Sequence, residues 1–173
     1  MLILWACYIV NMKLNLGCGN DIRSGYINID VRKTRAEVLQ VDLEKEFLRF
    51  IPDNSVDELL LKDFLEHLSW RVVENFLKDC FRVLKKGGKI IIQVPDIEAI
   101  VQQVVQNPNY KFGDLEGFKA ISYWIYGAQD YPENTHKAGF TRLTLKKLLE
   151  QVGFGIVKLE TIGTNILCEA TKI

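Results

Sequence analysis

The sequence predicts a single α/β domain built on a mainly parallel sheet, and three observations carry that prediction. Strand-length apolar runs alternate with segments of helical periodicity along the chain. One run, Lys89 to Val94 (KIIIQV), is almost continuously apolar, as expected of a strand covered on both faces. The first run, Lys13 to Leu16 (KLNL), breaks off in Gly17-Cys18-Gly19-Asn20, closely spaced glycines of the kind that present backbone N–H groups to a ligand at the carboxyl end of a strand. The length of 173 residues suits one domain of this type.

The elements follow in order. Met1 to Val10 (MLILWACYIV) is apolar but about half the roughly 20 residues a bilayer span needs, and no Lys or Arg precedes it. It is expected to be neither anchor nor signal. Two readings stay open for residues 1–11: an extension upstream of a start at Met12, or an extra edge strand or partner contact. The domain proper is taken as 12–173. Tyr26 to Asp30 and Glu37 to Asp42 alternate and each ends in an acid, and Val56 to Leu61 reads as a fourth strand. From Trp70, apolar residues at Val73, Phe76, Leu77, Cys80, Phe81 and Leu84 mark an amphipathic helix that Gly87-Gly88 is expected to stop. Pro95-Asp96 ends the following strand, a helix is expected over 96–106, and 107–140 reads as an irregular insertion. Thr141 to Val152 reads as a helix with Thr141 as N-cap and Gly153 after its end. Gly155 to Glu160 and Asn165 to Lys172 are expected to close the fold as an antiparallel hairpin.

Composition narrows the function. Lys plus Arg and Asp plus Glu both number 22, with no block of one sign, so the electrostatic footprint of a nucleic-acid or acidic-membrane binder is missing. Cys7, Cys18, Cys80 and Cys168 are far apart, contain no C-x-x-C pair and accompany two histidines, which argues against a disulfide framework or a zinc site and fits a reducing cytoplasm. No metal is expected.

Six motifs in order resemble the class I S-adenosylmethionine-dependent methyltransferases: Asn15 to Asn20, Asp30 closing the second strand, Val41-Asp42-Leu43, Asp63 to His67, Leu84 to Gly88, and Leu148 to Phe154. The resemblance covers nearly all of 13–173 and implies a single-domain Rossmann-like fold with S-adenosyl-L-methionine as cofactor. It implies that Gly17 and Gly19 let the backbone approach the cofactor's methionine part, with Cys18 a small packing residue between them. It further implies that Asp30 accepts from the ribose hydroxyls and Asp42 from the adenine amino group, with Leu43 on the ring. Asn15, Val31 and Lys62 complete the implied cofactor-binding set. Two positions depart from the family pattern: Asn15 stands where an acid is usual, and Asp21 where a third glycine is usual. Only Asn20 to Gly25 separate the glycine turn from the second strand, too few for a crossover helix. The shortening, with Gly25 to Asp30, resembles a compact, type 11-like subgroup.

Methyl transfer asks the protein to orient the acceptor, exclude water and, for some acceptors, take a proton. The candidate groups are His67 and Asp63 after the fourth strand and His136 in the insertion, each with a plain structural alternative. The insertion holds eight of the eighteen aromatic residues, among them Phe112, Tyr123 and Trp124, which suggests a lid lining an acceptor pocket, with a mini-core or a dimer surface as alternatives. The expected activity is methyl transfer to a small-molecule or glycan-like acceptor, by a cytoplasmic monomer or homodimer, without nucleic-acid or membrane partners. Its rivals are a catalytically silent domain that binds the same cofactor, a nicotinamide-dependent oxidoreductase, and a polar-headgroup or nucleotide-sugar binder.

Overall fold

A computed structural model describes residues 11–107 and 109–173. The N-terminal stretch 1–10, and with it the choice between extension and edge strand, lies outside the described residues. The chain runs β1 (Lys13–Leu16), β2 (Ile27–Asp30), β3 (Val38–Gln40), β4 (Val56–Lys62), a 3-10 turn (Leu65–His67), α1 (Val73–Val83), β5 (Leu84–Pro95) and α2 (Ile97–Gln106). A small hairpin, β6 (Lys111–Phe112) and β7 (Leu115–Glu116), then precedes α3 (Phe118–Tyr126), α4 (Arg142–Val152), β8 (Phe154–Ile162) and β9 (Asn165–Lys172).

Seven strands form one sheet in the order β3-β2-β1-β4-β5-β9-β8. The first five are mutually parallel, and β9 pairs antiparallel with both β5 and β8. The strand order reverses direction between β1 and β4, and such a switch point opens a crevice at the carboxyl ends of the strands. Leu14, Leu16, Leu59, Leu61, Ile90 and Ile92 are buried in the central strands, and Phe76, Leu77, Cys80, Leu145 and Leu149 of α1 and α4 belong to the same core. α4 has the expected cap: Thr141 Oγ1 accepts from the Thr144 N–H, and the Thr144 hydroxyl oxygen accepts from the Thr141 N–H in return.

Three expectations are corrected. The helix begins at Val73, not Trp70, and ends at Val83, before the glycines. Gly87 and Gly88 do not stop a helix; they lie inside β5, where the register with β4 shifts between Val56 and Glu58. A bulge at that point takes up the extra residues, and Gly87 supplies its positive φ of 77°. The insertion 107–140 is not irregular, since it carries β6, β7 and α3. Among the described residues no helix is long and apolar enough to cross a membrane.

Candidate active site

The carboxyl ends of β1, β2 and β4 open onto a cavity of about 530 Å³. Gly17, Cys18 and Gly19 after β1, Asp30 and Val31 at the end of β2, Asp42 and Leu43 after β3, and Lys62 and Asp63 at the end of β4 all line it. Eight of the nine expected cofactor-binding residues therefore share one wall. Asn15 does not. It is buried, and its amide nitrogen donates to the Asp21 carbonyl (2.7 Å) and to Asn28 Oδ1 (2.9 Å). The expectation of direct cofactor contact is corrected to a role in holding the loop.

That loop replaces the missing crossover helix. Asn28 Oδ1 also accepts from the Arg23 N–H (2.9 Å), and its amide donates to the carbonyls of Arg23 (3.1 Å) and Tyr26 (3.3 Å). The two asparagines thus bond the backbone of 21–26, which has no helix to satisfy it.

Asp30 is the centre of the glycine turn. Its Oδ2 accepts from the Gly19 N–H and its Oδ1 from the Arg32 N–H, both at 2.8 Å. Each carboxylate oxygen keeps further acceptor capacity toward the cavity it lines. Asp42 accepts from the N–H groups of Glu44 (3.1 Å) and Lys45 (3.3 Å) and pairs with Lys45 Nζ (2.7 Å). Burial opposes its charge, but the bonds from Lys45 outweigh that and hold its carboxyl below the usual range. Lys62 Nζ stands 3.6 Å from Asp21 Oδ2. Cys18 is buried, and burial together with the charge of Asp30 pushes its thiol up to about 11, which leaves it un-ionised and fits the packing reading.

The two glycines have different reasons. Gly17 has φ 66°, and a Cβ there would lie 2.0 Å from Phe64 Cδ2, so the ring that begins the Leu65–His67 turn excludes a side chain. The expected collision at this position is with Phe64. At Gly19, φ 51°, a Cβ would meet no protein atom within 4 Å, and the residue borders the cavity. This open cradle, two acceptor carboxylates and the apolar wall of Leu43 fit a nucleoside joined to an amino acid.

A second cavity of about 190 Å³ adjoins the first, and Asp63, His67 and Asn134 line both. Asp63 has φ 50°, an uncommon value for a non-glycine residue, and the Gln93 amide donates to its two carboxylate oxygens (2.9 and 3.1 Å). Phe112, Tyr123 and Trp124 of the insertion form a cluster with ring centroids 4.7 to 6.1 Å apart and wall the second cavity. Tyr131 belongs to the first cavity, with the Arg32 guanidinium 3.4 Å above its ring. Phe140 sits in the main core, while Phe118 and Tyr126 are exposed, so the insertion is partly a wall and partly packing.

His67 and His136 meet at this second cavity with ring centroids 5.0 Å apart. Burial, then the neighbouring His136, lowers the His67 imidazole to about 4, and burial lowers that of His136, so both rings are neutral near pH 7. Beside them Glu66, 2% exposed, has Oε2 buried without a hydrogen-bond partner, and burial pushes its carboxyl up to about 8. Sequence reasoning did not find Glu66. Its neighbour His67 was visible, but only the fold brings His136 to the pair.

A family model described as a methyltransferase domain matches residues 36–92. No curated protein sequence matches the chain. Among solved structures, a SAM-dependent methyltransferase from Archaeoglobus fulgidus superposes with a TM-score of 0.66 at 18% identity, covering 99% of this chain and 91% of that one. An S-adenosylmethionine-dependent methyltransferase from Mesorhizobium loti gives 0.65 at 16% identity, over 92% of this chain and 90% of that one. The cyclase SpnF gives 0.59 at 14% identity, over 99% of this chain and 79% of that one. At these identities the structural likeness establishes the fold, which is the Rossmann-like fold of class I methyltransferases. Family match and fold together support a class I S-adenosylmethionine-dependent methyltransferase, with S-adenosyl-L-methionine as the cofactor.

Proposed function

We propose that the chain transfers a methyl group to a small acceptor, or to one terminal group of a glycan-like acceptor, seated in the second cavity. The observation that carries this is the sharing of Asp63, His67 and Asn134 between the two cavities, so that a cofactor in one and an acceptor in the other would meet there. S-adenosylmethionine supplies a methyl group on a sulfonium, which needs no protein nucleophile. Asp30 would hold the ribose hydroxyls and Asp42 the adenine amino group, with Leu43 against the ring. Gly17, Cys18 and Gly19 would border the amino-acid part, and Val31 and Lys62 would complete the wall.

Asp63 and His67 at the junction and His136 in the second cavity are the groups able to take a proton from an acceptor hydroxyl or amine. The two rings are neutral near pH 7 and so have a lone pair available. The aromatic wall of Phe112, Tyr123 and Trp124 would cover one side of an acceptor seated there. The formal net charge of zero supports a small acceptor over nucleic acid. The buried free thiols of Cys18, Cys80 and Cys168 suit the cytoplasm.

The test is thermal unfolding with S-adenosylhomocysteine, NAD or NADP, each in excess, followed by label transfer from S-adenosylmethionine to an acceptor panel. A ligand at 100 times its dissociation constant stabilises by about 2.7 kcal/mol, several degrees for a domain of this size. A shift with S-adenosylhomocysteine alone is expected, and His136→Ala should keep that shift while losing label transfer. A shift with NAD, or none with S-adenosylhomocysteine, would overturn the reading.

A further inference from the structure

The second cavity contains a cluster of three side chains in which the methyl-transfer reading leaves Glu66 without a role. Glu66 and His67 lie in the 3-10 turn after β4, and His136 reaches them from the insertion. One ligand-capable atom from each of the three lies within 4.8 Å of the others. Both imidazoles are held in the same way: His67 Nδ1 lies 3.3 Å from the Thr135 carbonyl, and His136 Nδ1 lies 3.0 Å from the Trp124 carbonyl. A carbonyl only accepts, so each Nδ1 carries the proton and each Nε2 keeps the lone pair. Metal-binding histidines are oriented by this same bond from the far nitrogen to a carbonyl. The main chain fixes the third member too, since the Glu66 carbonyl accepts from the N–H groups of Lys137 (2.7 Å) and Ala138 (3.1 Å), which ties the turn to the segment bearing His136.

Glu66 supplies the second, independent observation. A carboxyl oxygen buried without a partner is costly, and a native fold retains such a group where something outside the chain completes it. The Trp124 Nε1 and Asn165 Oδ1 atoms that border the same cavity are likewise buried without partners. The space beside the cluster gives an entry path and room for exogenous ligands.

We propose that Glu66, His67 and His136 form a binding site for a divalent transition-metal ion, with the remaining coordination positions facing the second cavity. Two imidazole nitrogens and one carboxylate oxygen suit zinc, cobalt or nickel, and not magnesium or calcium, which prefer all-oxygen sites. The sequence argued against a metal from its cysteine spacing, and this site uses no cysteine. The proposal goes beyond the methyl-transfer reading and does not depend on it. With the ion bound, the imidazole lone pairs are committed to the metal and proton acceptance falls to Asp63.

The test uses the full chain, stripped with a chelator, dialysed, and titrated first with Co2+ and then with Zn2+, without cofactor or acceptor. Expected are one equivalent per chain, visible d–d absorption of a four- or five-coordinate cobalt site without a thiolate charge-transfer band, and displacement of that spectrum by Zn2+. Glu66→Gln and His136→Asn should each weaken binding at least as much as loss of a supporting partner does, about 10–100-fold, with far-UV circular dichroism unchanged. His67→Asn is the second ligand variant should His136→Asn unfold. No saturable binding, equal affinity in Glu66→Gln, or a thiolate band would overturn the proposal.

Discussion

Replacing Gly17 by Ala separates two explanations of the glycine turn. The new Cβ would stand 2.0 Å from Phe64 Cδ2, 2.4 Å from its Cγ and 2.8 Å from its Cβ. None of these is the end of a flexible chain, and the Phe64 ring is also wedged edge-on against Phe76 at 5.7 Å. Overpacking of this kind costs about 1–3 kcal/mol. The backbone, at φ 66°, adds about 1–2 kcal/mol for a residue with a side chain. Together Gly17→Ala should lose about 2–5 kcal/mol, or roughly 4–20 °C in Tm at this chain length. Urea unfolding of Gly17→Ala, Phe64→Ala and the double variant isolates the clash. In the Phe64→Ala background the two ring contacts vanish and only the 2.8 Å approach to the Cβ and the backbone cost of about 1–2 kcal/mol remain, so the coupling should be positive and at most about 1–3 kcal/mol. Equal cost in both backgrounds would refute the packing explanation. Loss of S-adenosylhomocysteine affinity that Phe64→Ala does not relieve would restore the idea that the cofactor alone excludes the side chain.

Asp30→Asn puts an amide where two N–H donors converge, so calorimetry should show S-adenosylhomocysteine binding weakened by about 1–3 kcal/mol, and unchanged affinity would sink the ribose role. Asn28→Ala removes the bonds to Asn15, Arg23 and Tyr26 and leaves a buried Asn15 donor short of an acceptor, which should cost about 1–3 kcal/mol in urea unfolding. Tyr26 donates its hydroxyl to Glu58, and burial, then that bond, pushes its phenol up to about 12. A raised acid contributes stability that is complete below its unfolded value near 10 and lost as pH rises to about 12. Tyr26→Phe should therefore cost about 0.5–1.5 kcal/mol at neutral pH, the pair being part-exposed and screened, and the gap to the parent should close between pH 10 and 12; a gap independent of pH would exclude this account.

The parallel strands were legible because each is a short apolar run closed by a glycine or an acid, and because burial on both faces leaves a run such as Ile90-Ile91-Ile92 little freedom to be anything else. α3 was not. Its sequence, FKAISYWIY, is short and has only Lys119 and Ser122 as polar residues, too few to set a helical stripe apart from an apolar run; the signal that could have found it is the pair Gly117 and Gly127, which bound it and both take positive φ. The start of β5 was missed because Lys85-Lys86-Gly87-Gly88 has the composition of a turn, while the pairing of Val56 with Leu84 makes it a bulged strand. In the site, Asp30 and Asp42 were readable from their places at strand ends. The meeting of Glu66, His67 and His136 was not, since the insertion that delivers His136 is positioned by main-chain bonds from Lys137 and Ala138 to Glu66, which no spacing rule encodes.

Asn15 is the most instructive departure, because the chemistry of its partners explains why an acid would fail there. Its amide nitrogen faces two oxygens, the Asp21 carbonyl and Asn28 Oδ1. An aspartate at 15 would set an acceptor-only, buried carboxylate against both. The donor is required because 20–26 is a loop without helical hydrogen bonds, so its carbonyls must be met from below by the strands. A longer crossover would satisfy its own backbone and release that position for an acid. The short connection and the amide at 15 are therefore one adaptation, and they leave Asp30, through the N–H of Gly19, to shape the cofactor edge of the cavity.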